Sequence, residues 1–184
     1  MHGRILSIPN LLTLARILLT PFIVYAIVDN RPVLALLLMG VAGFTDMLDG
    51  AIARYFNQRS TVGAYLDPLA DKLMLIRTIV TLFLLGSIPL FLFLAVIFRD
   101  VVIVVGAIVY ELVTHKLEMQ PTLTSKATTF MQIMLVLVSL ANSAWGVPPT
   151  LNYSVIWMTF GLTCISGLQY MVVWLSKAAT SEQG

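Results

Sequence analysis

Six runs of about 20 or more apolar residues, parted by short breaks bearing proline, glycine or charge, constrain this chain more than any other feature. A hydrocarbon core about 30 Å thick offers no water to the backbone, so a segment crossing it must satisfy its own N–H and C=O groups, which runs of this length do as helices. The runs predict helices near 9–29, 32–56, 63–85, 88–113, 124–144 and 151–176. The expected fold is an all-α integral membrane protein with six transmembrane helices, forming one domain over residues 1–184. Composition agrees: 59% of the residues are hydrophobic and 11% charged, against roughly 25% charged in an average soluble domain.

Lysine and arginine in short loops are retained on the cytoplasmic side of a membrane. With the N-terminus inside, Arg4, Arg54, Arg59, Lys116, Lys126 and Lys177 fall on that side and Arg31 on the other, so both termini are expected in the cytoplasm. The breaks at 85–89 and 145–150 carry no charge and suit the outer face. The first run follows Met1-His2-Gly3-Arg4 directly, without a small-residue cleavage site or an Arg- and Ser-rich leader, which predicts a retained helix in a bacterial inner membrane. Cys164 is the single cysteine and excludes an internal disulfide. His2 and His115 are too few and too far apart for a histidine metal site, so any metal is expected on oxygen. No nucleic-acid partner is expected of a chain placed mostly in lipid.

Four aspartates interrupt the apolar pattern. Asp46 and Asp49 are three residues apart and Asp67 and Asp71 four, spacings that put each pair on one face of a helix. The pairs lie on consecutive helices joined by a turn around 55–62. Asp46 precedes Arg54 by eight residues and Asp71 follows Gly63 by eight, so both lie roughly 12 Å in from the turn at about 1.5 Å per residue. Antiparallel packing would converge all four carboxylates at the cytoplasmic end. Such a cluster takes up protons or gathers cations, and two divalent ions balance four charges. Oxygen-only ligation favours magnesium, manganese or calcium over zinc, and two ions clamping a phosphoryl group assist displacement of its leaving group. Gly50 lies one turn from Asp46 and Ala53 one turn from Asp49, extending the acidic stripe as a groove of missing side chains. Arg54 is placed to neutralise an anion at its mouth. A nucleoside diphosphate meets these demands.

Two other readings compete. The carboxylates would be structural if they paired with Arg54, Lys72 or Arg77, but four acids are a wasteful way to stabilise a small bundle. They would line an ion path in an ion-coupled transporter, but the segments before residue 45 and beyond 72 are nearly all apolar. The pair Asp67-Pro68 predicts a helix start, with Asp67 as N-cap and Pro68 first in the helix.

The pattern D-x2-D-G-x2-A-R-x8-G-x3-D-x3-D, unbroken from Asp46 to Asp71, resembles the signature of the CDP-alcohol phosphatidyltransferase family. The resemblance implies a six-helix enzyme that attacks the phosphorus of CDP-diacylglycerol with an alcohol and releases CMP. It implies two magnesium or manganese ions on Asp46, Asp49, Asp67 and Asp71, with Asp71 also the general base. Gly50, Ala53, Arg54 and Gly63 would serve the cytidine nucleotide, and a homodimer is the common assembly.

The likeness extends over about residues 8–140. Ile8-Pro9-Asn10-Leu11-Leu12-Thr13-Leu14-Ala15-Arg16 resembles the N-terminal element of phosphatidylglycerophosphate and cardiolipin synthases, which implies that Asn10, Thr13 and Arg16 frame the nucleotide site; Asn10 also suits a helix N-cap. Phe98-Arg99-Asp100 and Thr124-Ser125-Lys126 resemble the eukaryotic-type cardiolipin synthases, whereas glycerol-3-phosphate-using relatives more often carry Arg-Glu and Gly-Lys there. The expected acceptor is therefore phosphatidylglycerol, giving cardiolipin, with glycerol-3-phosphate as the alternative. Arg99, mid-helix in an apolar run, is expected to bind the acceptor phosphate bidentately unless it pairs locally with Asp100. Lys126 is expected as a second acceptor contact, or as a lysine snorkelling to the boundary. Arg77 carries no assigned role.

Overall fold

The computed structural model describes residues 8–55, 61–114 and 122–181, with side chains over 14–46, 72–106 and 122–172. It is all helical there: α1 Ile8–Val28, α2 Pro32–Tyr55, α3 Thr61–Leu84, α4 Leu90–Thr114, α5 Leu123–Trp145 and α6 Pro149–Ser181. The expected helices agree in number and order, and their ends mostly to within two residues; α6 runs five residues further. Among the described residues, Leu123–Trp145 and Pro149–Val172 are each long and apolar enough to cross a membrane, and Leu14–Val28 and Pro32–Asp46 are shorter apolar helices.

The helix ends follow local chemistry. Asn30 stands at φ 55° and Gly86 at φ 74°, left-handed values that asparagine and glycine reach most easily. Around each, two bonds close the helix: Arg31 N–H to Ala26 C=O (2.8 Å) with Asn30 N–H to Ile27 C=O (3.2 Å), and Ser87 N–H to Leu82 C=O with Gly86 N–H to Phe83 C=O (both 2.9 Å). Both are Schellman ends, which satisfy carbonyls that a helix leaves orphaned.

The chain divides into two compact units, residues up to 87 with 139–147, and 88–138 with 148 onward. In the first, α1 packs on α2 and α3. Its buried stripe, Arg16, Thr20, Ile23 and Ile27, repeats every three or four residues, as one helix face must. Ala26, Ala35 and Ala42 are fully buried, and small residues of this kind let helices approach without interlocking long side chains. In the second unit α4 packs on α6. Phe91 stacks on Trp157 with ring centroids 5.3 Å apart and meets Phe160 edge-on at 5.2 Å. Trp157 thus serves in packing.

The outward faces are apolar. Leu18, Phe22 and Tyr25 on α1, and Leu90, Leu94, Phe98, Val101 and Val105 on α4, are all more than half exposed. A water-soluble protein avoids continuous apolar stripes of this extent, whereas lipid tails accept them at no cost. The interior carries the polar groups instead. Thr128 and Thr159 are fully buried, and their hydroxyls cross between α5 and α6, to Leu162 C=O at 3.1 Å and Met131 C=O at 3.3 Å.

Gln132 departs from this economy. It is fully buried on α5, and neither atom of its amide has a hydrogen-bond partner among the described residues. A buried amide without partners costs about 1–3 kcal/mol. Gln132→Leu, close in volume and without polar atoms, is expected to stabilise the protein by about 1–2 kcal/mol, read as a raised melting temperature in detergent.

Candidate active site

In the first unit, Arg16 Nη1 donates to Asp46 Oδ1 at 2.9 Å. The stripe that buries Ile23 carries Arg16 to 1% side-chain exposure, while the Asp46 side chain keeps 44%. One turn along, Thr20 Oγ1 donates to Arg16 C=O at 3.0 Å, and beside Asp46 the Thr45 hydroxyl donates to Ala42 C=O at 2.8 Å. The aspartate is therefore held by α1. The competing structural reading had named Arg54, Lys72 and Arg77 as partners, and Arg16 is a different one. Lys72 is half-buried and Arg77 exposed.

The helices that carry the other acids are described, while the side chains of Asp49, Asp67 and Asp71 lie outside the described residues, as do those of Gly50, Ala53, Arg54, Gly63, Asn10 and Thr13. Helical backbone runs through 46–55, so Asp46, Asp49, Gly50 and Ala53 keep the register of one face of α2. Asp67 and Asp71 keep theirs on α3. Both helices pack on α1. Among the described residues no group of three or more acids, histidines or cysteines stands together.

Two expectations about helix starts need correction. Helix α3 begins at Thr61, so Asp67 and Pro68 lie in its second turn and Asp67 is no N-cap. A proline can sit inside a membrane helix because neighbouring groups take up the backbone bond it forgoes. Asn10 is likewise the third residue of α1, inside the helix rather than before it.

In the second unit the structure builds a polar cluster around Arg99, which is 3% exposed. Its Nη1 donates to Asp100 Oδ1 at 2.9 Å. Its Nη2 donates to Ser125 Oγ on α5 at 2.5 Å, and Nη2 and Nε reach Ser166 Oγ on α6 at 3.2 and 3.3 Å. The local pair with Asp100, given as the alternative, is therefore present. These four bonds engage Nε, Nη2 and one Nη1 hydrogen of a group with five N–H donors. In this arrangement the Nε/Nη2 edge is held by Ser166 and the other Nη2 hydrogen by Ser125, and among the described residues one Nη1 hydrogen is left for a further acceptor.

Lys126 is exposed on the first turn of α5, next in sequence to the serine that holds Arg99. Thr122 caps that helix: its Oγ1 accepts from Ser125 N–H at 3.2 Å and its C=O from Lys126 N–H at 3.1 Å. Thr124 adds a hydroxyl bond to the Gln169 side chain on α6. Folding thus brings residues 99, 125 and 166 into one cluster.

Sequence reasoning missed Ser166, the capping role of Thr122 and the pairing of Arg16 with Asp46. A signal for Ser166 was present: Thr159, Thr163, Ser166 and Tyr170 recur at spacings of four, three and four in an apolar run, and all four are buried. Polar residues at helical period in such a run mark the face turned toward other helices rather than lipid.

The family model described as CDP-alcohol phosphatidyltransferase matches residues 6–166. A probable CMP-forming cardiolipin synthase of Drosophila melanogaster is 34% identical over 91% of this chain and 58% of its own length. The CMP-forming cardiolipin synthase of Homo sapiens is 35% identical over 89% of this chain and 60% of its own. A CDP-diacylglycerol–glycerol-3-phosphate 3-phosphatidyltransferase of Aquifex aeolicus is 32% identical over 74% and 78% respectively. The chain thus spans about three fifths of the length of the two cardiolipin synthases.

Proposed function

We propose, since the chain belongs to the CDP-alcohol phosphatidyltransferase family, that it is a membrane enzyme transferring the phosphatidyl group of CDP-diacylglycerol to the hydroxyl of phosphatidylglycerol, giving cardiolipin and CMP. The observation that carries the reading is the unbroken aspartate motif from Asp46 to Asp71, set on two helices that both pack on α1. The all-carboxylate donor set suits hard divalent cations, and the Asp46 side chain keeps 44% of its exposure beside its ion pair. Asp46, Asp49, Asp67 and Asp71 would hold two magnesium or manganese ions, which when bound supply positive charge against the diphosphate.

The chain's own residues do the rest. Gly50, Ala53, Arg54 and Gly63, with Asn10 and Thr13, receive the cytidine nucleotide. Arg16 fixes the Asp46 carboxylate from α1. Asp71 takes the proton of the acceptor hydroxyl as its oxygen bonds to the phosphatidyl phosphorus, and the bond from that phosphorus to the CMP oxygen breaks, CMP leaving with the electron pair. Arg99 and Lys126 contact the phosphate of the acceptor. A single displacement needs no covalent enzyme intermediate. All six helices cross the membrane, both termini and the acidic site face the cytoplasm, and the working form is a homodimer. The membrane is the bacterial inner membrane, although relatives of this sequence also occur in animals.

Phosphatidylglycerol is favoured as acceptor because, over about nine tenths of the chain, the two relatives named as cardiolipin synthases are 34% and 35% identical, against 29% for a glycerol-3-phosphate enzyme of Oryza sativa. Ser125, whose position carries glycine more often in glycerol-3-phosphate users, is also bonded to Arg99. The test is the lipid made by purified protein in vesicles containing CDP-diacylglycerol and given one acceptor at a time. Cardiolipin is expected with phosphatidylglycerol. Phosphatidylglycerophosphate from glycerol-3-phosphate would reverse the acceptor, and solute flux without cytidine nucleotide would favour a transporter.

A further inference from the structure

We propose that Ser166 is a positioning residue for the acceptor, acting through Arg99; this rests on the reading of Arg99 as an acceptor contact. A guanidinium recognises phosphate by the direction of its N–H bonds, so a side chain with several rotatable bonds must be held in one orientation to be useful. Asp100 supplies charge from the adjacent position on the same helix. Orientation comes from the other side. Ser166 Oγ accepts from both Nε (3.3 Å) and Nη2 (3.2 Å), the two nitrogens of one guanidinium edge, and so fixes the plane as well as the place of the group.

The setting makes that hold rigid. Ser166 is fully buried, and its neighbour Gly167 brings α6 so near that a Cβ there would lie 3.8 Å from Arg99 Cγ and 3.9 Å from its Cβ. The arginine stem lies against α6 while its head is gripped by the next residue along. Ser125 completes the arrangement from α5 through the second Nη2 hydrogen. Among the described residues an Nη1 hydrogen remains for a ligand, and with the opposite edge held by Ser166 its direction is fixed before the acceptor arrives. Such preorganisation lowers the ordering cost of binding.

The experiment measures KM for both substrates in Ser166→Ala, Arg99→Lys and the double variant, in vesicles with CDP-diacylglycerol and whichever acceptor supports turnover. Losing a hydrogen bond to a charged group corresponds to a rise of about tenfold or more. Ser166→Ala is therefore expected to raise the acceptor KM about tenfold, to leave the KM for CDP-diacylglycerol unchanged, and to add nothing in the Arg99→Lys background. Should Ser166→Ala fail to fold, Ser166→Cys keeps the volume, weakens the hydrogen bonds and reads the same quantities. An unchanged acceptor KM in Ser166→Ala, with a raised one in Arg99→Lys, overturns the positioning role and leaves Arg99 as acceptor contact. An unchanged acceptor KM in Arg99→Lys overturns both. Parallel changes for both substrates, or additive effects in the double variant, show a structural serine and overturn the proposal.

Discussion

Asp71→Asn is expected to lower turnover by about 10²–10⁴-fold, the range spanned by removing a general base, while CDP-diacylglycerol binding changes far less. Asparagine keeps the size and an acceptor oxygen but takes no proton at neutral pH, so losing the base slows the chemical step, and losing one charged cation ligand adds to that. Asp46→Ala is expected to abolish turnover for a different reason, by removing a cation ligand. That variant also removes the 2.9 Å ion-pair partner of the buried Arg16 guanidinium. Asp46→Asn separates the two effects, because an amide oxygen still accepts from Arg16 but no longer offers a charged ligand. Wild-type folding with turnover lost is the expected result for Asp46→Asn, measured by melting temperature and CMP release on one preparation.

The largest expected effect on stability lies in the other unit. Arg99→Met deletes the guanidinium that Asp100, itself 6% exposed, faces at 2.9 Å, and removes the donors to the Ser125 and Ser166 hydroxyls. Breaking a buried ion pair from one side costs about 3–5 kcal/mol, whereas replacing both members with apolar residues of similar volume is often neutral or stabilising. Arg99→Met is therefore expected to lower the unfolding free energy by about 3–5 kcal/mol, and Arg99→Met/Asp100→Leu to recover most of it. Denaturant or thermal unfolding in one detergent compares the three proteins. Equal stability of Arg99→Met and wild type would mean the cluster adds nothing to the fold.

The helices were legible because two independent signals agree on them. Run length placed the apolar cores of α1 to α6, and proline, glycine and charge marked the breaks between them, two of which the structure turns at Asn30 and Gly86. The error at Asp67-Pro68 arose from the rule that proline marks a helix start; α3 already runs from Thr61 and continues through both residues. The acidic motif was legible for a related reason: charge in an apolar run needs a purpose, and spacing shows which charges share a face. The partners were less so. Asp46 finds Arg16 thirty positions earlier, and Arg99 finds Ser125 and Ser166 on two later helices. Periodicity says which residues turn inward, and helix packing alone decides which of them meet.

In the proposed function the aspartate motif serves divalent-cation-dependent phosphatidyl transfer. The direct measurement is CMP release from CDP-diacylglycerol by the purified protein in phosphatidylglycerol-containing vesicles, with magnesium or manganese and again in excess chelator. Release of one CMP per phospholipid formed, lost in chelator and restored by added cation, is the predicted result. Undiminished release in chelator, or wild-type release by Asp46→Asn, would contradict it.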